Sequence, residues 1–407
     1  MTICTDYLII GGGILGLTIA RQIALRQPSA SVLVIDKEPQ LGFHASGRNS
    51  GVLHAGFYYT PNSQKAQFCV RGNQLLHQYL IDHSVSWRKV GKLVVPTCSS
   101  EQDTLYELYR RGQANGCDLK IISGSEAHLL EPRLSTDFDV LYSPRTDVAD
   151  PKALITALAS ELDELQVTTM TSTQFLSVEE PSICRVKTPT GDHKISFSYA
   201  INACGCFSAE VARCFGVEHY YAIIPFKGLY LKSTIPQPQY VKHVYPVPDQ
   251  RFPFLGIHTT ITSDGYLKVG PTAIPAFGFE NYKPYPEGTS PGQLAQIVEL
   301  QLRMLLNNTN GFRDLAFREV KNYLKSSMLS AASSLYGSDI SCIDGGYYWA
   351  QPGIRAQLVS KDSGQLIMDF KHISSSNSLH ILNAISPAWT SSFALALYYL
   401  DMIPSVT

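Results

Sequence analysis

The chain has 407 residues, enough for two domains of ordinary size. Hydrophobic residues make up 44%, charged residues only 16%, and the formal net charge is −1. These values exclude a disordered chain and a one-signed field that would draw nucleic acid or an anionic membrane.

In chain order, Tyr7-Leu8-Ile9-Ile10 reads as a buried strand. The glycine turn 11–16, a helix over 14–27 and a second buried strand over 32–35 follow, and that strand ends at Asp36. Together they make a βαβ unit. Residues 40–60 read as loop, 61–83 as helix, 92–95 as strand, 99–114 as helix and 140–143 as strand. Asp150 and Pro151 open a helix to 164, with Asp as N-cap and Pro in the first turn. Residues 165–201 alternate around a Thr190-Gly191-Asp192 turn and predict an antiparallel meander. A strand over 199–203 ends at Cys204-Gly205, and 207–215 is helical. Residues 223–272 are β-rich, 290–306 and 320–335 helical, and 379–382 is a last strand. Ser386-Pro387 opens the final helix, to about 402.

Nine cysteines occur without a CxxC pair, so they read as thiols of a reducing compartment and no metal site is expected. With a strand already at 7–10, no signal peptide is expected. No apolar run approaches the roughly 20 residues of a spanning helix. The expected location is cytoplasmic. Peripheral contact with the inner face of a membrane stays open, although no basic amphipathic segment announces it.

Gly11-x-Gly13-x-x-Gly16 follows a strand and opens a helix, which is the context a dinucleotide turn requires. Gly11 permits the turn, Gly13 lets the backbone approach a pyrophosphate, and Gly16 lets the helix pack on the strand. The helix N-terminus offers amides to phosphate, and Asp36, followed by Lys37, is placed to meet a ribose. A simple NAD enzyme would continue in β–α units. Instead the chain enters the segment HASGRNSGVLHAGFYY (44–59), whose small polar groups suit the extended contacts of FAD. Ser46, Arg48, Asn49 and Ser50 are the expected flavin contacts there. The predicted class is α/β plus α+β: a Rossmann-like FAD-binding domain (1–85, 141–217 and 340–407) interleaved with an antiparallel-sheet substrate domain (86–140 and 218–339).

At these residues the chain resembles the L-2-hydroxyglutarate oxidase/dehydrogenase family of the D-amino-acid-oxidase-type superfamily. The resemblance is carried by IIGGGILGLTIA (9–20), SGRNSGVLHAGFYYTPNSQKAQFCVRGNQLL (46–76), VGKLVVP (90–96), INACGCFSAEVA (201–212) and IPFKGLYL (224–231). It continues through VYPVPDQRFPFLGIHTT (244–260), VGPTAI (269–274), PGIRAQLV (352–359) and LNAISPAWTSSFALA (382–396). Lys227 and Leu229 depart from the family's Arg and Glu in PFRGEY, and Asp36 stands where Glu is commoner.

The resemblance implies oxidation of an (S)-2-hydroxy acid, with L-2-hydroxyglutarate foremost, by hydride transfer to flavin N5. Oxygen or a quinone would accept the electrons. His54 is the expected base and His258 the second candidate. Arg355 and then Lys227 are expected to clamp carboxylates, while Tyr58 and Tyr59 close the pocket. Gly205, Gly353, Ser386 and Ala388 are expected beside the cofactor, the last two at a helix N-terminus aimed at the flavin. Two alternatives stay open: an FAD-dependent amine or amino-acid oxidase, and a non-catalytic flavin-binding subunit.

Overall fold

The computed structural model describes residues 2–217, 220–249, 254–286 and 288–406. The strand Thr2–Ile10 lies between Val32–Ile35 and Gly191–Asn202, parallel to both. Thr168–Met170 extends this sheet on one side. On the other, Ser378–Asn383 joins alongside Ala200–Asn202. Tyr7 and Ile9 pack into a cluster with apolar residues of helices Ile14–Arg26, Gln64–Asp82, Pro151–Glu164 and Ala388–Leu400. Leu8 and Ile10 face the opposite cluster, with Cys184, Val186, Ile195 and Phe197 of the antiparallel hairpins. Burial on both faces is why this strand reads as an unbroken apolar run.

The C-terminal segment completes this half of the molecule. Gly72 brings the second helix against the last one, because a Cβ there would lie 2.5 Å from the Thr390 carbonyl oxygen. The Tyr7 hydroxyl donates to the Pro404 carbonyl at 2.7 Å and accepts from the Val406 amide at 2.9 Å.

A second eight-stranded sheet runs in the order Tyr347–Trp349, Leu231–Ser233, Leu267–Gly270, His258–Ile261, His243–Pro246, Lys92–Val95, Val140–Ser143, Lys120–Ile122. Among the described residues its one parallel pair joins Lys92–Val95 to His243–Pro246. Helix Lys325–Tyr336 covers one face. A separate ribbon pairs Tyr221–Gly228 with Gly353–Ser360 over eight residues. By pairing, Val140–Ser143 and Tyr347–Trp349 belong to the second sheet.

Several elements differ from expectation. The helix expected from 61 starts at Gln64, where the Ser63 side chain accepts from the Ala66 amide and sets the N-cap. The helix expected over 320–335 is a short turn Lys321–Tyr323 and then Lys325–Tyr336, broken at extended Leu324. Helices Gly124–Leu130 and Phe312–Val320 were not anticipated. Among the described residues no helix is long and apolar enough to cross a membrane.

Candidate active site

A cavity of 1180 Å³ lies between the two sheets. It exceeds the roughly 300–1,000 Å³ of ordinary small-molecule sites, so a dinucleotide and a substrate can share it. Gly11, Gly13, Asp36, Ser46, Gly205, Gly353, Ser386 and Ala388 all lie on its wall, as do His54, Tyr58, Tyr59, His258 and Arg355.

At the nucleotide end, Gly11 has φ +114°, and a Cβ there would lie 2.6 Å from the Ala203 carbonyl oxygen. A Cβ on Gly16 would sit 1.9 Å from the Gly11 oxygen, so helix and strand touch only because residue 16 is glycine. Ser46 Oγ accepts from the Ile14 amide at 2.9 Å and docks the loop on the helix start. Asp36 accepts from the amides of Gly12 (2.7 Å) and Glu38 (2.9 Å). Burial nevertheless raises its pKa, against those bonds.

The open helix start, the glycine cradle and the buried Trp389 indole N–H, which has no partner on the cavity wall, fit an extended phosphate-bearing cofactor. Ser386 and Ala388 flank the start of helix Ala388–Leu400, which carries no side-chain cap, so its positive end faces the same space.

Some expected flavin contacts are used within the protein. Asn49 donates to the carbonyls of Ser46 (2.8 Å) and Ala45 (3.1 Å) and accepts from the Gly51 amide (2.8 Å). It shapes the loop, though it and Ser50 line the cavity. The Arg48 guanidinium stacks 4.1 Å from the Tyr282 ring centroid and 4.9 Å from that of Phe43. Gly353 is needed beside it, since a Cβ there would lie 2.7 Å from the Arg48 carbonyl oxygen.

The Lys37 ammonium is held by Glu280 and by Glu38, the latter at 3.0 Å. Burial lowers its pKa, but these two carboxylates outweigh burial and the net shift is upward. His44 joins the same cluster, bonding Tyr282 (2.8 Å) and Glu38 (3.0 Å) with Glu280 at 3.1 Å. Burial alone would raise the Glu280 pKa; the bonds from His44 and Lys37 bring it to about 2 instead. Glu38, His44 and Glu280 are close enough to share a cation, but Lys37 already supplies the positive charge. The cluster ties the 36–50 loop to the segment 277–286.

At the other end, His258 stacks on Tyr245 and its Nδ1 lies 2.8 Å from the Gly256 carbonyl. A carbonyl only accepts, so Nδ1 carries the proton and Nε2 holds a lone pair. Burial, with Lys92 nearby, lowers its pKa to about 3. His54 is held by its backbone: its amide donates to Thr390 Oγ1 (3.1 Å) and its carbonyl accepts from Asn73 Nδ2 (3.1 Å). Its ring Nδ1 is buried without a partner. Burial, then Lys92, holds this histidine well below its ordinary pKa. Both rings are therefore neutral.

Two lysines not singled out from the sequence stand here. Lys92 is fully buried, and its Nζ has no hydrogen-bond partner. It lies 3.9 Å from the Tyr245 ring centroid and 5.1 Å from that of Tyr58, and burial lowers its pKa to about 7. Its strand neighbour His243 accepts at Nδ1 from the Ile261 amide (3.1 Å), which leaves Nε2–H unpartnered. Lys65 lies on the cavity wall at 5% exposure, and burial, then Arg355, lowers its pKa to about 7. Asp369 fixes its backbone by accepting from the amides of Gln64 and Lys65, each at 2.9 Å.

Arg355 lies on the same wall, 4.8 Å over the Phe254 ring; burial lowers its pKa to about 10, so it stays cationic. Tyr58 and Tyr59 complete this end, and burial raises both hydroxyls. Lys227 is a correction. Its amine donates to the Lys283 carbonyl at 2.6 Å, and the strand's cavity-lining residues are its neighbours Phe226 and Gly228. The alternation of the strand turns Lys227 away. Leu229 is not on the cavity wall either, and its amide donates to Thr272 Oγ1 at 2.9 Å. No composition or spacing signal marks Lys65 or Lys92; only burial distinguishes them from surface lysines.

A family model described as FAD dependent oxidoreductase (DAO) matches residues 6–402. The chain is 33% identical over 423 residues to the mitochondrial L-2-hydroxyglutarate dehydrogenase of Nematostella vectensis, covering 97% of this chain and 90% of that one. To the L-2-hydroxyglutarate dehydrogenase of Escherichia coli K12 it is 30% identical over 405 residues, covering 98% and 93%. Among solved structures, FAD-bound L-alpha-glycerophosphate oxidase from Mycoplasma pneumoniae superposes with a TM-score of 0.75 at 20% identity, covering 98% of this chain and 95% of that one. Glycine oxidase from Geobacillus kaustophilus gives 0.71 at 16% identity, covering 99% and 96%. At such identities the two structures are alike in fold alone.

Proposed function

We propose, on the premise that this chain belongs to the FAD dependent oxidoreductase (DAO) family, that it oxidises an (S)-2-hydroxy acid to the 2-oxo acid, with L-2-hydroxyglutarate as the preferred substrate. The observation that carries this reading is one cavity wall bearing two neutral histidines, the buried Arg355 cation and the buried amine of Lys65. FAD, which the glycine turn and the start of the last helix would hold, would supply the hydride acceptor.

The rest is done by the chain's own groups. Arg355 grips one carboxylate through its planar fork, and Lys65 meets the second as a point charge. A dicarboxylate satisfies both cations, whereas an amino acid would bring a further positive charge among them. His258 Nε2 accepts the hydroxyl proton, because the Gly256 carbonyl fixes its tautomer and Tyr245 fixes its plane. This geometry favours His258 over His54, whose ring has no hydrogen bond to orient it. An anionic substrate beside the ring raises its proton affinity. Tyr58 and Tyr59 exclude water.

For the acceptor we propose a quinone rather than oxygen, supported by the relatives' name, dehydrogenase. Anaerobic mixing with L-2-hydroxyglutarate should bleach the yellow enzyme, and a quinone analogue should restore the colour faster than air. Bleaching by the D-isomer or by glycine instead would sink the substrate assignment.

A further inference from the structure

One face of the second sheet carries a line of polar side chains. Leu93, Val244, Ile261, Leu267 and Leu231 pack towards helix Lys325–Tyr336. Their strand neighbours Lys92, His243, Thr260, Lys268 and Lys232 therefore point the other way. Pairing sets these five side by side. Lys92 is opposite His243, and Lys268 is opposite both Thr260 and Lys232. The pair Val244–Thr259 puts His243 opposite Thr260. The five cross the sheet one per strand, over roughly 19 Å.

Three consecutive members carry polar atoms that nothing satisfies. Lys92 Nζ, His243 Nε2 and Thr260 Oγ1 are buried without a hydrogen-bond partner among the described residues. Beyond them the line approaches solvent. Lys268 Nζ lies 3.5 Å from the Asn49 carbonyl, and Lys232 Nζ lies 3.5 Å from the carboxylate of Asp264, which is 58% exposed. None of the five is on the cavity wall. The cavity meets the line at its histidines. His258 shares a strand and a face with Thr260, two residues on, and feels the charges of Lys92 and Lys268. His54 stands on the cavity wall with its Nδ1 buried and unpartnered, and Lys92, His258 and His243 all act on it.

We propose that ordered water fills this line and that the proton taken from the substrate hydroxyl leaves along it, from a wall histidine past Lys92, His243 and Thr260 to Lys268, Lys232 and solvent. This rests on the reading above that a histidine on the cavity wall accepts that proton. A buried water makes about three hydrogen bonds to otherwise unsatisfied groups. Lys92 Nζ and His243 Nε2–H offer donors, and the Thr260 hydroxyl both donates and accepts. Cross-strand neighbours stand about 4.8 Å apart, a gap that one bridging water spans and a direct bond does not. The step balances. The Cα–H leaves as hydride with its electron pair, the O–H electrons close the carbonyl, and the proton passes to the histidine. Transfer from the histidine into the line returns the ring to its neutral form for the next substrate. Burial lowers Lys92 to about 7 and, with Lys232, lowers Lys268 to about 8. Both amines can therefore take and give a proton near neutrality.

The test follows protons and flavin together. Holoenzyme is mixed anaerobically with L-2-hydroxyglutarate in weak buffer containing phenol red. In the wild type the proton should appear in step with bleaching. In Thr260→Val the first bleaching should keep its amplitude while the proton appears roughly tenfold later or more. Lys268→Met should delay it likewise, and Thr260→Ser should restore the wild-type timing. A crystal structure of the substrate-free holoenzyme should show water bound to Lys92 Nζ, His243 Nε2 and Thr260 Oγ1. A dry line there would overturn the proposal. So would a proton released in step with bleaching by Thr260→Val, or a serine variant as slow as the valine one. Failure of L-2-hydroxyglutarate to bleach the flavin would instead strike the substrate reading, and the crystal would still decide the line.

Discussion

His258 lies face to face with Tyr245, ring centroids 3.6 Å apart and 17° from parallel, while its Nδ1 is bound to the Gly256 carbonyl. A flip of the ring would give up the bond to Gly256, so Nε2 is the nitrogen offered to the cavity. His258→Ala should lower the rate of flavin reduction about a hundred- to ten-thousandfold while FAD stays bound. His54→Ala should cost less. Stopped-flow traces of the two variants decide between them, and the reverse order would return the base to His54.

The same histidine makes a pH prediction. Its pKa is lowered to about 3, so the ring is deprotonated, and competent as a base, at every pH above that value. The acid limb of kcat/KM should therefore be absent between pH 5 and 7, where an ordinary histidine would titrate (about 6.5). A limb near 6.5 in that profile would show a base in an unperturbed setting.

Lys65 sets the alkaline side. With its pKa lowered to about 7 by burial and Arg355, it is charged below that pH and neutral above it. Since kcat/KM reports the free enzyme, it should fall as pH rises through 7. Lys65→Arg should move that limb upward. Lys65→Met should cost L-2-hydroxyglutarate about ten- to a hundredfold in kcat/KM, the worth of a charge-assisted bond, and spare the monocarboxylate L-lactate. Equal losses on both acids would remove Lys65 from the second carboxylate.

Lys92 should be a liability to the fold. Its pKa falls from 10.5 unfolded to about 7 folded. The unfolded chain therefore holds more protons between those values, and stability rises with pH across that window. At neutral pH the group costs the fold about 2–4 kcal/mol. Lys92→Met should raise Tm at pH 7, and by less at pH 10. It should also remove the charge that, after burial, holds His54, His243 and His258 low, shifting the acid limb of kcat/KM upward. A variant with unchanged Tm would mean that Lys92 has a partner in solution.

Gly16 gives the cofactor test. A Cβ there meets the Gly11 carbonyl oxygen at 1.9 Å, so Gly16→Ala must push the helix off the strand and spread the phosphate turn. The purified variant should be colourless, and added FAD should bind at least about tenfold more weakly.

How far these features could be read beforehand depends on how local their causes are. The strands at 32–35, 92–95 and 140–143 match the structure residue for residue. Each is a short β-branched or leucine-rich run, and its identity does not depend on its partner. The helix at 151–164 was equally legible, because Asp150 caps it through bonds to the amides of Lys152 and Ala153.

Helix Phe312–Val320 was hidden for the opposite reason. Phe312 and Leu315 face inward while Phe317 and Val320 face solvent, so no single apolar stripe repeats at 3.6 residues. Lys227 misled because a strand's phase relative to a cavity is fixed by its neighbours, here Gly353–Ser360 and the Lys283 carbonyl. Lys65 and Lys92 were silent because a lysine's letter carries no information about its depth.

The flavin half of the molecule is also ordered in time. Thr2–Ile10 leaves the ribosome more than 360 residues before Ser378–Asn383 and Ala388–Leu400, which finish its sheet and its helical layer. For most of translation the nascent chain carries a glycine turn with half its walls missing. Ribosome-arrested chains stopped before residue 388 should take up no flavin, and those that have emerged beyond the helix Ala388–Leu400 should acquire it. Cofactor loading then serves as the cell's report that synthesis has passed the helix that closes this half.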